Sequence, residues 1–260
     1  MNVVILLTLL AQSPAAAPPP AAEPFKIVDN SFLVEEAFNQ EPRIVQNIVN
    51  WSRQNDAWLL TYTQEWPVPG VRHQLSYTLP FDSSGVGDLL VNYRLQVYEE
   101  GPGRPAFAPR LSAILPSGRG PSSPGIQTNL PFSKQRGDWY FHGNAGITWL
   151  RSPEHVWLET PAVAGSAIYR AAPMVNLMLE SVLSFDQRVT ATPRTGSQEG
   201  PLVTRERTGT FTISPGIRGG WNLDPETQII IGLAIPVSWS EGTTSAGVFG
   251  YFSYELPFKR

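Results

Sequence analysis

Ionisable side chains recur at alternate positions inside otherwise apolar segments of this 260-residue chain. Arg94, for example, stands between Tyr93 and Leu95. Because successive side chains of a β-strand point to opposite faces, this spacing gives a strand one polar and one apolar face. The ionisable residues assigned to polar faces are Glu65, Asp88, Arg94, Arg110, His142, Glu180, Arg218 and Glu255. Arginines and carboxylates around a narrow passage select solutes by charge and size, so the pattern predicts a charged constriction.

The same residues also allow a structural interpretation. Arginines, carboxylates and the amides between them could form a network of salt bridges and hydrogen bonds that fills the interior of a barrel and makes it rigid. Both interpretations place the charged groups inside, and the sequence favours neither.

His142 and Asn144 are the most tempting catalytic pair, because two residues apart on a strand they share a face. A barrel enzyme acting on lipid would need a serine nucleophile next to such a histidine, and no Ser is adjacent to this pair. The pair is also assigned to the interior and not to the lipid side. We therefore interpret His142 as a hydrogen-bonded interior residue and expect a protein that is not an enzyme.

Composition and motifs exclude several other classes. The chain has no Cys, so thiolate metal sites and cysteine nucleophiles are excluded. It contains no HExxH, no GxSxG, no phosphate-binding glycine loop and no acidic calcium repeat, and we expect neither a metal nor a cofactor. The net charge is −3 and the 19 Lys and Arg are scattered, which argues against a nucleic-acid partner.

From residue 43 onward, segments of about ten residues with alternating polarity are separated by Gly, Pro, Asp and Ser. Strands are predicted at 43–51, 57–66, 71–80, 86–98, 105–116, 122–133, 137–150, 161–170, 174–186, 206–222, 226–239 and 246–258. An even number of strands returns both ends of the chain to the same side, and the longest connections, 151–160, 187–205 and 240–245, fall on the other side. We therefore expect an all-β, transmembrane antiparallel β-barrel of about 12 strands.

A water-soluble sandwich would show the same alternation, and the aromatic residues distinguish the two. They concentrate near predicted strand ends, as expected for the girdles of a membrane barrel in contact with outer-membrane lipid. The residues concerned are Trp66, Trp139, Trp149, Tyr169, Trp221, Trp239, Tyr254 and Phe258. The last strand, ending at Phe258, matches the C-terminal signature by which the barrel assembly machinery recognises such proteins.

The N-terminus predicts secretion and, after it, a short helix. Residues 3–11 are apolar except for Thr8 and precede a stretch of Pro and Ala, although the first two residues carry no Lys or Arg. We expect a signal peptide and spacer at 1–22, a periplasmic segment at 23–42 and the barrel at 43–258. A helix is predicted over 31–40, where Ser31 can cap it and Glu35 lies early; it would lie against the barrel mouth or partly plug it.

Six phrases resemble a family of proteobacterial outer-membrane proteins. They are FLVEEAFNQEPRIVQNI (32–48), TQEWPVPGVRHQLSYTLPF (63–81), GVGDLLVNYRLQ (85–96), AFAPRLSAILPSG (106–118), YRAAPMVNLMLE (169–180) and GYFSYELPF (250–258). That family is similar to barrel proteins encoded beside phenol meta-cleavage pathways, of the MetA-pathway type, which are described as transporters. The resemblance implies a passive outer-membrane channel for small solutes, including hydrophobic or aromatic ones. The alternatives are a structural or adhesive barrel with a filled lumen, binding partners through its outer loops, and, less favoured, a lipid-modifying enzyme.

Overall fold

Twelve antiparallel strands form one closed sheet in the computed structural model, which describes residue 27 and residues 31–117, 123–152, 155–192, 202–224 and 227–258. Three strands, β4, β5 and β11, consist of two parts separated by two residues. The strands are β1 Ile44–Gln54, β2 Ala57–Trp66, β3 His73–Asp82, β4 Gly85–Val86 with Leu89–Leu95, β5 Ala106–Phe107 with Arg110–Leu115, β6 Gly125–Arg136, β7 Trp139–Arg151, β8 Trp157–Ala172, β9 Val175–Thr192, β10 Leu202–Asp224, β11 Thr227–Ala234 with Val237–Ser240, and β12 Thr243–Pro257.

The sheet closes where β12 pairs with β1. Ile44 lies opposite Pro257, and the pairing continues to Gln54 opposite Gly247. In hydrocarbon each backbone N–H and C=O must be paired within the protein, and closure removes the unpaired edges of a sheet. We call the end of the barrel where β1 begins and β12 ends the terminal end.

The two faces of the sheet differ as predicted. In β12, Val248, Phe252 and Leu256 are exposed on the outside, while Phe249 and Ser253 are buried inside. The other strands follow the same rule, with large apolar side chains on the outer surface and most of the buried polar side chains on the inner one. The expected all-β antiparallel barrel of twelve strands is confirmed.

Strand lengths differ from the prediction at the end opposite the terminal end. Much of the predicted connections 151–160 and 187–205 belongs to strands, and β9 and β10 pair from Val175 opposite Gly219 to Thr192 opposite Leu202. This stretch is rich in Thr, a β-branched residue that favours strands, and the backbone pairing of a hairpin does not require an apolar face. The polar composition that suggested loops is therefore compatible with an extended hairpin.

The predicted helix over 31–40 is wrong. The structure has no helix among the described residues, and 31–40 follow an irregular, bent path inside the barrel. The amide N–H groups that a helix would pair internally are instead bonded by side chains of the barrel wall, as the next section shows.

No helix in the described part of the chain is long and apolar enough to cross a membrane.

Closure of the sheet can be tested at Trp51, which pairs with Gly250 of β12 and Leu60 of β2. Trp51→Pro removes a backbone N–H from the closing ladder, so we expect loss of the compact, heat-modifiable band on semi-native gels. Trp51→Phe should keep that band, because the backbone is unchanged. A Trp51→Pro protein that still migrates as the compact form would contradict the closing role of this ladder.

Candidate constriction in the barrel lumen

Residues 31–40, here called the lumen segment, cross the interior of the barrel. At one side of the terminal end, the backbone N–H of Gln40 donates to the side chain of Gln74 on β3. At the other side Ile27 packs against Gly220, whose backbone N–H donates to the carbonyl of Met174 in the connection between β8 and β9. Since the β2–β3 and β8–β9 connections both lie at the terminal end, the chain enters and leaves the barrel through that end.

The wall binds the lumen segment through its backbone. Six backbone N–H groups of the segment donate to side chains of five wall residues. Leu33 and Val34 donate to Glu180, at 2.9 and 3.2 Å, and Glu35 donates to Asn144 at 2.7 Å. Ala37 donates to Ser133 at 2.7 Å, Asn39 to Gln96 at 3.3 Å, and Gln40 to Gln74 at 2.7 Å. Because an unpaired buried N–H costs free energy, these side chains stabilise an irregular backbone in place of a helix.

Glu35 is the electrostatic centre of the lumen segment. Its Oε1 accepts from Arg94 Nη1 at 3.3 Å and from Arg110 Nε at 3.1 Å. Its Oε2 accepts from Arg110 Nε at 2.8 Å and from Asn129 Nδ2 at 2.6 Å. Asn144 bonds the backbone of Glu35 on both sides, accepting from its N–H and donating to its carbonyl, each at 2.7 Å. Each carboxylate oxygen thus receives two donors, and the residue is fixed in position.

Arg94 binds the segment along much of its length. Its guanidinium donates to Asn39 Oδ1 and to the Glu36 carbonyl, both at 3.0 Å, and to the Phe38 carbonyl. It also donates to Gln74 Oε1 at 2.9 Å on the neighbouring strand. Only 3% of the Arg94 side chain is exposed, so these bonds replace nearly all of its water contacts.

The ring of Phe32 anchors the other half of the segment. It stacks on Phe249 and tilts against Tyr251, with ring centroids 5.4 and 5.3 Å apart. A methyl group added at Gly232 would come within 2.2 Å of the ring, and one at Gly216 within 2.9 Å. The two glycines therefore make the space that this ring occupies.

Four of the eight predicted interior residues meet around the lumen segment. Arg94 and Arg110 bind Glu35, and Glu180 binds the backbone. His142 contributes through Ser133: the Ser133 hydroxyl accepts from the Ala37 N–H and shares a hydrogen bond with His142 Nδ1, at 2.7 Å in each case. The structure thus places Ser133 of β6 directly opposite His142 of β7, but the lumen segment covers the serine hydroxyl.

The other four predicted residues are spread along the wall and do not complete a single ring. Glu65 accepts from Gln74 at 2.8 Å, and the buried Arg218 donates to the amide oxygen of Asn176 at 3.1 Å. Near the terminal end, Glu255 lies opposite Gln46 on β1. At the opposite end, Asp88 accepts from the backbone N–H groups of Ser117 and Ser123, at 3.2 and 2.8 Å. Within the described residues, no three His, Asp or Glu side chains come together as a metal site.

Among the described residues, two cavities border the Glu35 cluster. One, of about 220 Å³, is lined by Phe32, Glu35 and Glu65 among others; the second, of about 270 Å³, is lined by groups that include Asn144. Arg110 lines both. The lumen therefore retains free space next to the Glu35 cluster.

The comparisons with known proteins bear on the fold. No protein-family model matches the chain, and no curated protein matches it in sequence. Among solved structures, the chain is similar to an outer membrane channel from Pseudomonas putida F1, with a TM-score of 0.60, 12% identity, and coverage of 85% of this chain and 98% of that one. It shares the barrel fold of that channel.

Two porins superpose less well. The KdgM porin gives a TM-score of 0.49 at 10% identity, covering 82% of this chain and 99% of the porin. The NanC porin gives 0.48 at 10% identity, covering 82% and 100%. The resemblance to proteins of phenol meta-cleavage pathways stays a prediction.

Removing the Glu35 carboxylate should destabilise the barrel, because Arg94 and Arg110 would lose their shared anion. We expect Glu35→Ala to lower the free energy of unfolding by roughly 1 to 3 kcal/mol, the cost of leaving a buried polar group unpaired. Urea titration in lipid vesicles measures this change. Glu41→Ala is the control: Glu41 is an exposed residue directly after the lumen segment, and its substitution should change the free energy of unfolding little. Equal effects of the two substitutions would contradict the role of Glu35.

The Glu35 carboxyl should also make this stabilisation dependent on pH. Loss of solvation raises its pKa, but the charges of Arg110 and Arg94 and the hydrogen bonds from Asn129 and Arg110 together lower the pKa by more, and the net pKa lies below its ordinary value. A group with a lowered folded pKa contributes stability above its unfolded pKa and loses that contribution as the pH falls through the folded pKa. We expect the difference in unfolding free energy between the wild type and Glu35→Gln to be largest near neutral pH and to shrink below about pH 4.3. A difference independent of pH would contradict this.

Proposed function

We propose that this chain forms a passive outer-membrane channel for small solutes. The observation that supports it is a closed barrel whose outer face is apolar and whose inner face is polar, with free space next to the Glu35 cluster. An apolar outer face suits lipid, and a polar inner face suits water and solutes. The secretion signal predicted within residues 1–22, which lie outside the described part of the chain, agrees with a position in the outer membrane.

The size of the lumen limits what could pass. The two cavities, of about 220 and 270 Å³, suit small molecules. Their lining mixes apolar groups such as Val182 and Ile147 with amides and hydroxyls such as Gln127 and Thr148. This mixture is compatible with the small, hydrophobic or aromatic solutes that the family resemblance implies.

The lumen segment controls this channel. It crosses the lumen next to the two cavities, and Arg110 lines both of them. A solute moving from one end of the barrel to the other must pass the segment, so conduction depends on how firmly the wall holds residues 31–40.

The dense bonding of the lumen segment also favours a second candidate, a structural or adhesive barrel with a filled lumen. Six backbone amides and the Glu35 carboxylate are bonded by the wall, as expected for a permanent plug. In that case partners would bind the outer connections; part of the predicted connection 187–205 lies outside the described residues.

Planar-bilayer recording separates the two candidates. We expect the wild type to conduct weakly and a variant lacking residues 31–40 to show a several-fold larger single-channel conductance, because the obstacle is removed. Heat-modifiable migration of both proteins verifies that the barrel is intact. No conductance from either protein would overturn the channel proposal and favour the structural barrel.

A single methyl group provides a finer test of the lumen segment. Gly232→Ala places a carbon within 2.2 Å of the Phe32 ring and should displace it, raising the conductance above that of the wild type. Gly70→Ala is the matched control, because an added methyl there meets nothing within 4 Å and conductance should not change. Identical conductance of the two variants would show that Phe32 does not hold the segment in the conducting path.

A further inference from the structure

The donors that hold Glu35 belong to the wall and form one row across three strands. Arg94 of β4 lies opposite Arg110 of β5, and Arg110 lies opposite Asn129 of β6. Their side chains meet at one carboxylate, and each of its two oxygens receives two donors between 2.6 and 3.3 Å. Charge-assisted hydrogen bonds of this kind are the usual means of recognising a carboxylate.

The wall keeps these donors in place through its own groups. Arg110 donates to Asn92 Oδ1 at 3.1 Å and to Gln127 Oε1 at 2.9 Å. Arg94 donates to Gln74 Oε1 at 2.9 Å. The carboxylate that pairs with both guanidinium groups comes from the lumen segment, whereas the neutral partners that orient them come from the strands. If the segment left, two cations would remain aimed at an empty space.

A small acid could reach Arg110 of this row from the free space next to it. Arg110, Gln127 and Leu33 of the lumen segment line both cavities, and Asn129 lines the second. The cavity volumes, about 220 and 270 Å³, lie below the roughly 300 to 1,000 Å³ of pockets for drug-sized ligands. The space therefore fits a molecule that is little larger than the carboxylate group which would bind to Arg110.

We propose that Arg94, Arg110 and Asn129 form a binding site for small carboxylate solutes, and that Glu35 is its tethered occupant. This rests on the proposed channel function and names the solute class. A free carboxylate must displace a tethered one, whose effective concentration is in the millimolar range for a short flexible tether, so the site binds weakly. Weak binding is what conduction needs, because a solute must both occupy the site and leave it.

Chemical rescue tests the site without requiring conduction. Glu35→Ala empties the site, and sodium acetate should then raise the unfolding temperature of this variant in a saturable way. The wild type, whose site is occupied, should respond much less. Acetamide, of similar shape but without charge, should give no rise, and sodium chloride at the same ionic strength should give none. A Glu35→Ala protein that keeps its heat-modifiable band and does not respond to acetate overturns the proposal, as does equal rescue by chloride.

A second substitution assigns the rescue to the row of donors. In Glu35→Ala with Arg110→Gln, acetate binding should weaken by about tenfold or more, because a charge-assisted hydrogen bond is lost. Unchanged acetate binding in this double variant contradicts the assignment. If Glu35→Ala fails to fold, the same acetate titration is carried out on the variant that lacks residues 31–40.

Conductance separates this inference from the proposed function. In Glu35→Ala, acetate or benzoate added to a chloride solution should reduce the single-channel current in a saturable way, and benzamide should not. Rescue by acetate in a protein that never conducts would keep the carboxylate site and overturn the channel. Conduction without rescue would keep the channel and overturn the carboxylate site.

Discussion

Arg94 and Arg110 occupy paired positions on adjacent strands, where two like charges repel and lose most of their water. Such a pair is stable inside a barrel only if an anion lies between the two guanidinium groups. The strands do not provide it; Glu35 does, from a segment that precedes the first strand. The position of residues 31–40, the two cavities and the free space in the lumen all depend on this shared carboxylate.

The wall around that carboxylate also replaces helical hydrogen bonding. Glutamate, asparagine, glutamine and serine side chains of five wall residues accept the backbone N–H groups of the lumen segment. An irregular chain inside a protein is stable only if its polar groups are paired, and here the strands do the pairing. The same arrangement accounts for Ser133 and His142, whose hydrogen bond holds the Ala37 amide and leaves the serine hydroxyl covered.

The sequence was sufficient for the barrel but not for the contents of its lumen. Strand alternation is local, so it assigned Arg94, Arg110 and Glu180 to the interior before any tertiary contact was known. Glu35 was missed because its local context, after a capping serine and among apolar residues, favours a helix, and its true partners are 59 and 75 residues away. The conformation of residues 31–40 is set by side chains of the barrel wall, and the local sequence of the segment contains no information about those side chains. The extended β9–β10 hairpin was missed for a related reason, since its polar composition resembles that of a loop.

The path of the lumen segment has a topological consequence. Ile27 and Gln40 both lie at the terminal end, so the chain forms a loop that reaches into the barrel and returns. A segment that is anchored at one opening can leave and re-enter the barrel through that opening. Its removal and return need only the exchange of hydrogen bonds for water at one opening, and the ladder between β1 and β12 can stay closed throughout. Insertion after the sheet has closed is open to it by the same route.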